Sequence, residues 1–142
     1  MSEQPEGIDV DLLVSEAWRA REGAYAPYSN FLVGAAALAG DRIVRGANVE
    51  NASYPVAICA ERVAASQAVA SGARDIRAIA VTSSAPGPAT PCGMCRQFLF
   101  EFNPDMLVIS EGVSGERKAW RLADLLLDGF GPADLESAAE AT

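Results

Sequence analysis

Ile76-Arg77-Ala78-Ile79-Ala80-Val81 reads as a buried strand, a short apolar run interrupted by one charge. A Gly/Pro-containing loop follows over residues 83–91, then a helical stretch over 92–102, then a second short apolar run, Met106-Leu107-Val108-Ile109. Strand, helix and strand at this length make a βαβ unit, whose parallel strands are joined right-handedly.

Upstream, Pro55 precedes a helical segment over residues 58–71, rich in alanine and ended by Gly72. Ala64, Ala65, Ala68 and Ala70 carry little bulk there, which suits core packing and the close approach of a neighbouring helix. Before it, residues 31–39 and 42–49 are apolar stretches separated by Gly40-Asp41, the pattern of a hairpin. Near the start, Asp9 is placed to cap a helix whose apolar stripe is Leu12, Leu13, Ala17 and Trp18, with Gly23 stopping it. Downstream, a short strand is expected at 118–120, a helix at 121–127, and a last short helix starting at Pro132. The sum is an α/β layer fold, a mixed sheet of about five strands with helices on both faces. It forms one domain over residues 1–142, with residues 1–8 and 137–142 expected to be flexible.

Composition narrows the partners. The chain has 142 residues, half of them apolar, and a net charge of −8. A chain of that size buries roughly two-thirds of its unfolded surface in a single core. The negative charge repels phosphate backbones, so a nucleic-acid polymer is excluded as partner while a small neutral nucleoside is not. No apolar run reaches membrane-spanning length, and residues 1–7 lack a basic or apolar signal region. A cytoplasmic location is expected, and an odd number of thiols agrees with a reducing compartment.

The cysteines carry the chemistry. Cys59, Cys92 and Cys95 are the only ones, and there is no histidine. Alone, the Cys92-x-x-Cys95 pair fits a thioredoxin-like redox motif or an inert buried pair as well as a metal site. If all three thiols share a metal, a fourth position falls to water, substrate or a carboxylate, as in catalytic zinc sites and unlike closed structural ones. Glu61, two residues past Cys59, is then placed to carry protons beside that position. Both cysteine segments fall at expected helix N-termini, where exposed N–H groups and the dipole favour thiolates. Three thiolates still leave zinc with a formal charge of −1, so Arg62, and less decisively Arg96, are expected to compensate by donating to sulfur. Cys-x-Glu followed by Pro-Cys-x-x-Cys matches the zinc-deaminase signature in its three-cysteine version.

The resemblance extends further. Tyr25-Ala26-Pro27-Tyr28-Ser29, Phe31 with Val33-Gly34-Ala35-Ala36, and Gly46-Ala47-Asn48-Val49-Glu50-Asn51-Ala52-Ser53-Tyr54 join Cys59-Ala60-Glu61-Arg62 and Pro91-Cys92-Gly93-Met94-Cys95-Arg96-Gln97. Together, over residues 25–135, they resemble the small homotetrameric zinc-dependent cytidine deaminases. The resemblance implies a three-layer cytidine-deaminase-like fold and one zinc per chain. It implies hydrolysis of cytidine and 2′-deoxycytidine to their uridine counterparts with release of ammonia, a step of pyrimidine salvage. It further implies ribose contacts from Asn48 and Glu50, base stacking by Phe31, and a hydrogen bond from the Ala60 backbone to the pyrimidine. Ala52, Tyr54 and Phe130 would reach the site of a neighbouring subunit.

Asn48 and Glu50, two apart at a strand end, face one side and offer a donor and an acceptor to a hydroxyl. Phe31 at a strand start would ordinarily be core, and only the resemblance makes it a ligand contact. The sequence departs from the family pattern at Gly40-Asp41, commonly Asp-Gly, and at Leu127, commonly proline; both lie outside the cysteine motifs. Two other readings remain: a blasticidin S-type deaminase acting on a cytosine-bearing antibiotic, against which Asn48-Val49-Glu50-Asn51-Ala52-Ser53 weighs, and a non-catalytic zinc-held binding module. The missing fourth ligand and Glu61 weigh against the module.

Overall fold

The Asp9 carboxylate accepts a hydrogen bond from the backbone N–H of Leu12 at 3.1 Å and caps helix α1 (Val10–Arg21), as expected for an acid at that position. The computed structural model describes residues 7–141, so the flexibility expected of residues 1–6 and of Thr142 lies outside the described residues. The buried face of α1 is Val10, Leu13, Val14 and Ala17. Leu12, expected in that stripe, is exposed; Ser15 and Glu16, its neighbours a turn on, mark the solvent side.

Strands β1 (Val33–Ala39) and β2 (Arg42–Ala47) form the expected hairpin. Ala39 pairs with Arg42, and Gly40 takes the left-handed φ of 63° that the tight turn requires. β1 begins later than expected because the Asn48 side chain replaces ladder partners at its start. Asn48 Oδ1 accepts from Val33 N–H at 2.9 Å and Nδ2 donates to the Phe31 carbonyl at 2.9 Å.

Helix α2 (Ala60–Ala70) follows a single 3₁₀ turn, Tyr54–Val56. The βαβ unit is β3 (Ile76–Ser83), α3 (Gly93–Phe100) and β4 (Leu107–Glu111), and β3 and β4 are indeed parallel. β3 continues past the apolar run because Thr82 and Ser83 pair with Gly34 and Val33. Strand β5 (Arg117–Arg121) lies antiparallel to β4, completing a mixed five-stranded sheet in the order β2-β1-β3-β4-β5. Helix α4 (Leu122–Leu125) is one turn, shorter than expected, since Leu126 leaves helical geometry at φ −142° and ψ 78°; the Leu125 carbonyl freed there accepts from Arg96 Nη1 at 2.8 Å. Helix α5 (Pro132–Ala141) reaches into the segment expected to be frayed.

Two cores make the layers. α1 packs with Ala36, Leu38, Ala78, Ala80 and Ile109 on one face; α2 and Leu99 of α3 pack with Ala35, Ala37, Ile79 and Val108 on the other. Ala64, Ala65 and Ala68 of α2 pack in the core as expected, while Ala70 is exposed. A Cβ at Gly46 of β2 would stand 2.4 Å from the backbone nitrogen of Ala64. Helix and strand therefore meet backbone to backbone, which seats the N-terminus of α2 firmly at the end of the sheet.

Candidate metal centre and its cleft

Cys59 is the N-cap of α2 and Cys92 the N-cap of α3, with Cys95 in the first turn of α3. The sequence pattern placed Cys59 and Cys92 within the helices; each helix starts at the next residue because Cys59 (ψ 150°) and Cys92 (ψ 167°) are still extended. Both helix N-termini thus converge, and the three sulfur atoms lie within 4.8 Å of one another. Cys59 Sγ and Cys92 Sγ are 3.8 Å apart, far beyond a disulfide length of about 2.05 Å. Two sulfurs each about 2.3 Å from one tetrahedral metal would stand about 3.8 Å apart, so the donor set fits zinc in kind and spacing. Among the described residues, no fourth cysteine, histidine or carboxylate joins the cluster.

Cys59 and Cys95 are linked before any metal arrives. The hydrogen bond between Cys95 and Cys59 pulls the Cys59 thiol well below its ordinary range, and the same bond, with burial, pushes Cys95 upward. A metal must displace the proton that Cys95 keeps. Arg62 Nη2 donates to Cys59 Sγ at 3.6 Å, the contact expected of it. Its Nε is buried and has no hydrogen-bond partner among the described residues. Arg96 instead turns away: Nε donates to the Pro91 carbonyl at 2.7 Å and Nη1 to that of Leu125. It braces the backbone before Cys92 and contacts no sulfur through these groups.

Glu61, 5 % exposed, lies on the floor of a cleft of about 300 Å³ that also takes in Phe31, Asn48, Glu50, Cys59, Ala60 and Cys92. Burial is the first cause that raises its pKa to about 7, so the carboxyl can hold or release a proton near neutrality. Cys95 is buried behind the cleft. Val81 and Ser83, at the C-terminal end of β3, and Thr90 before Pro91 also line it. Sequence reading gave these no role; a polar residue ending an apolar strand beside a cysteine motif was the available signal. Tyr54 lines an adjoining hollow with Tyr28, Ser29 and Glu50, while Ala52 and Phe130 are exposed.

Residues 9–111 match the model of the cytidine and deoxycytidylate deaminase zinc-binding region. The chain belongs to that family. It is 45% identical over 135 residues to a cytidine deaminase of Sporosarcina psychrophila, covering 94% of this chain and 99% of that one. With a cytidine deaminase of Mycobacterium tuberculosis it shares 42% over 129 residues, 90% of this chain and 94% of the relative. The solved structure of cytidine deaminase from Burkholderia pseudomallei superposes with a TM-score of 0.84 at 44% identity, covering 87% of this chain and 100% of that one. The fold is therefore the α/β fold of these deaminases. The cysteine cluster within the matched region is suited to one zinc ion. Among the described residues, no helix is long and apolar enough to cross a membrane.

Proposed function

We propose that this chain is a single catalytic domain that hydrolyses cytidine and 2′-deoxycytidine to uridine and 2′-deoxyuridine, releasing ammonia, in cytoplasmic pyrimidine salvage. The observation that carries the reading is the buried Glu61 carboxyl, lining one cleft with Cys59 and Cys92 beside a three-sulfur cluster that no fourth protein ligand joins among the described residues.

Cys59, Cys92 and Cys95 hold one zinc, which when bound makes a water nucleophilic near pH 7. Glu61 takes a proton from the attacking water and delivers it to the ring nitrogen next to the amino-bearing carbon. The same carboxyl then passes a second proton to the departing amine, so that the carbon–nitrogen bond breaks and ammonia leaves. Water supplies the oxygen and both protons, and the carboxyl ends as it began. Arg62 offsets thiolate charge. Phe31 stacks on the base, the Ala60 backbone bonds it, and Asn48 with Glu50 binds the ribose. The nucleoside fits a cleft with donors and acceptors along one rim, and relatives named cytidine deaminases over almost the whole chain favour it over the antibiotic.

The assembly is a homotetramer in which Ala52, Tyr54 and Phe130 complete a neighbour's site. Tyr54 and Phe130 are 70% and 55% exposed, large for apolar rings on a monomer surface, and neither lines the cleft of its own chain. Incubating purified protein with cytidine while following ammonia release and metal content tests the function; zinc-loaded protein without turnover would end it.

A further inference from the structure

The Glu50 carboxylate is held by a single turn. Its Oε1 accepts from the backbone N–H groups of Tyr28 at 2.9 Å and Ser29 at 3.1 Å, and its Oε2 accepts from the Ser29 hydroxyl. The Ser29 hydroxyl oxygen in turn accepts from the backbone N–H of Phe31 at 3.0 Å. A hydroxyl has one proton to give and lone pairs to receive with. With its proton on Glu50 and a lone pair on Phe31, Ser29 joins the sugar side of the cleft to the base side. Asn48 closes the clamp, its Nδ2 donating to the Phe31 carbonyl at 2.9 Å. A carboxylate offers about four acceptor sites; the three hydrogen bonds from the turn leave one. The Ser29 hydroxyl is also the first cause that lowers the Glu50 pKa.

Tyr28 to Phe31 lie outside every strand and helix, so the sheet does not dictate this geometry, and Asn30 at φ 58° bends the chain between the contacts. We propose that Ser29 is a positioning residue for nucleoside recognition, fixing the Glu50 carboxylate and the Phe31 main chain as one unit so that sugar acceptor and base wall meet the substrate at a set spacing. The proposal rests on the roles given above to Glu50 and Phe31.

The test is steady-state kinetics on cytidine for the zinc-loaded parent, Ser29→Ala, Glu50→Gln and the double variant, with zinc content and thermal midpoint recorded for each. Losing a charge-assisted hydrogen bond raises KM in Ser29→Ala about tenfold to a hundredfold, with kcat within about threefold, the signature of lost binding and intact chemistry. Because Ser29 acts through Glu50, the double variant is no worse than Glu50→Gln alone within about twofold. Ser29→Thr, which keeps the hydroxyl, restores KM. Ser29→Cys, a weaker donor, falls between, and it carries the same comparison if Ser29→Ala loses zinc or unfolds. An unchanged KM in Ser29→Ala, or single penalties that multiply in the double variant, overturns the proposal while the parent still turns over. A zinc-loaded parent that leaves cytidine intact overturns the function and this proposal with it.

Discussion

The side-chain amide of Gln97 donates to the carbonyl oxygen of Phe130 at 2.9 Å. Gln97 lies two residues beyond Cys95 on α3, so the helix that presents two of the sulfurs also grips the segment from which Phe130 projects. Phe100 of the same helix packs on that segment: a Cβ at Gly129 would stand 2.8 Å from its ring. The ring of Phe130 is thereby aimed outward from a rigid support. Phe130→Ala is expected to raise KM for cytidine about tenfold or more by removing an aromatic wall, and to loosen the tetramer. Light scattering and activity over a dilution series check it; a stable, fully active monomer contradicts shared sites.

Glu61→Gln keeps the shape and burial of the side chain but cannot carry a proton. Fold and zinc content are expected to match the parent while kcat drops about 10²- to 10⁴-fold. Ammonia release measured beside metal analysis decides it, and near-parental turnover removes Glu61 from the proton path.

The metal-stripped protein should show the cost of burying that carboxyl. Folding raises the Glu61 pKa from 4.5 to about 7, mainly through burial, so the folded state favours the protonated form. Its contribution is fully present below the unfolded value and is lost as pH rises through about 7. Cys59, lowered on folding, pushes the other way over part of this window, and its charge is one of the lesser causes of the rise at Glu61. The stability difference between Glu61→Gln and parent should therefore widen in favour of the variant by about 3 kcal/mol from pH 4 to pH 8. Denaturant titrations of both apo proteins read it out; a pH-independent difference contradicts it.

Cys59→Ala removes one of three ligands at an N-cap. Zinc is expected to fall from one per chain to a small fraction, with the thermal midpoint dropping as well, because metal binding and folding are coupled. Retention of stoichiometric zinc after dialysis against a chelator would show that the ligand set is wrong.

Gly46→Ala places a methyl group 2.4 Å from the Ala64 backbone nitrogen, a contact that only movement of α2 relieves. A stability loss of at least about 2 kcal/mol is expected, together with weaker zinc retention because Cys59 moves with the helix. Gly40→Ala, where nothing stands near the added atom, keeps zinc and pays only for its left-handed φ.

The fold was legible where physical pattern is local. Asp9 announced a cap, Gly40-Asp41 a turn, and two apolar runs around a helix the parallel pair. The cysteines and Glu61 were legible because metal chemistry restricts residue types more sharply than packing does. Arg96 was ambiguous because its partner, the Leu125 carbonyl, lies 29 residues away and no local pattern announces it. Leu12 misled because apolar spacing marks a stripe without saying how wide the sheet beneath it is. Ser83 and Thr90 were silent because they enter the cleft only when β3 outruns its apolar stretch and the loop before Cys92 folds back.

The glycine contact between β2 and α2 has a bearing on how such a site can change. With helix and strand in backbone contact, α2 cannot shift toward β2, so a side chain added at that contact displaces Cys59, Ala60 and Glu61 together. The rim is different: Tyr28 to Phe31 and Glu50 to Ala57 belong to no strand or α-helix, and under the proposed function they would meet the part of a nucleoside that varies most, its sugar and ring substituents. Selection for a new nucleoside, in nature or in the laboratory, has that rim to work on, and libraries aimed at bulkier analogues belong there.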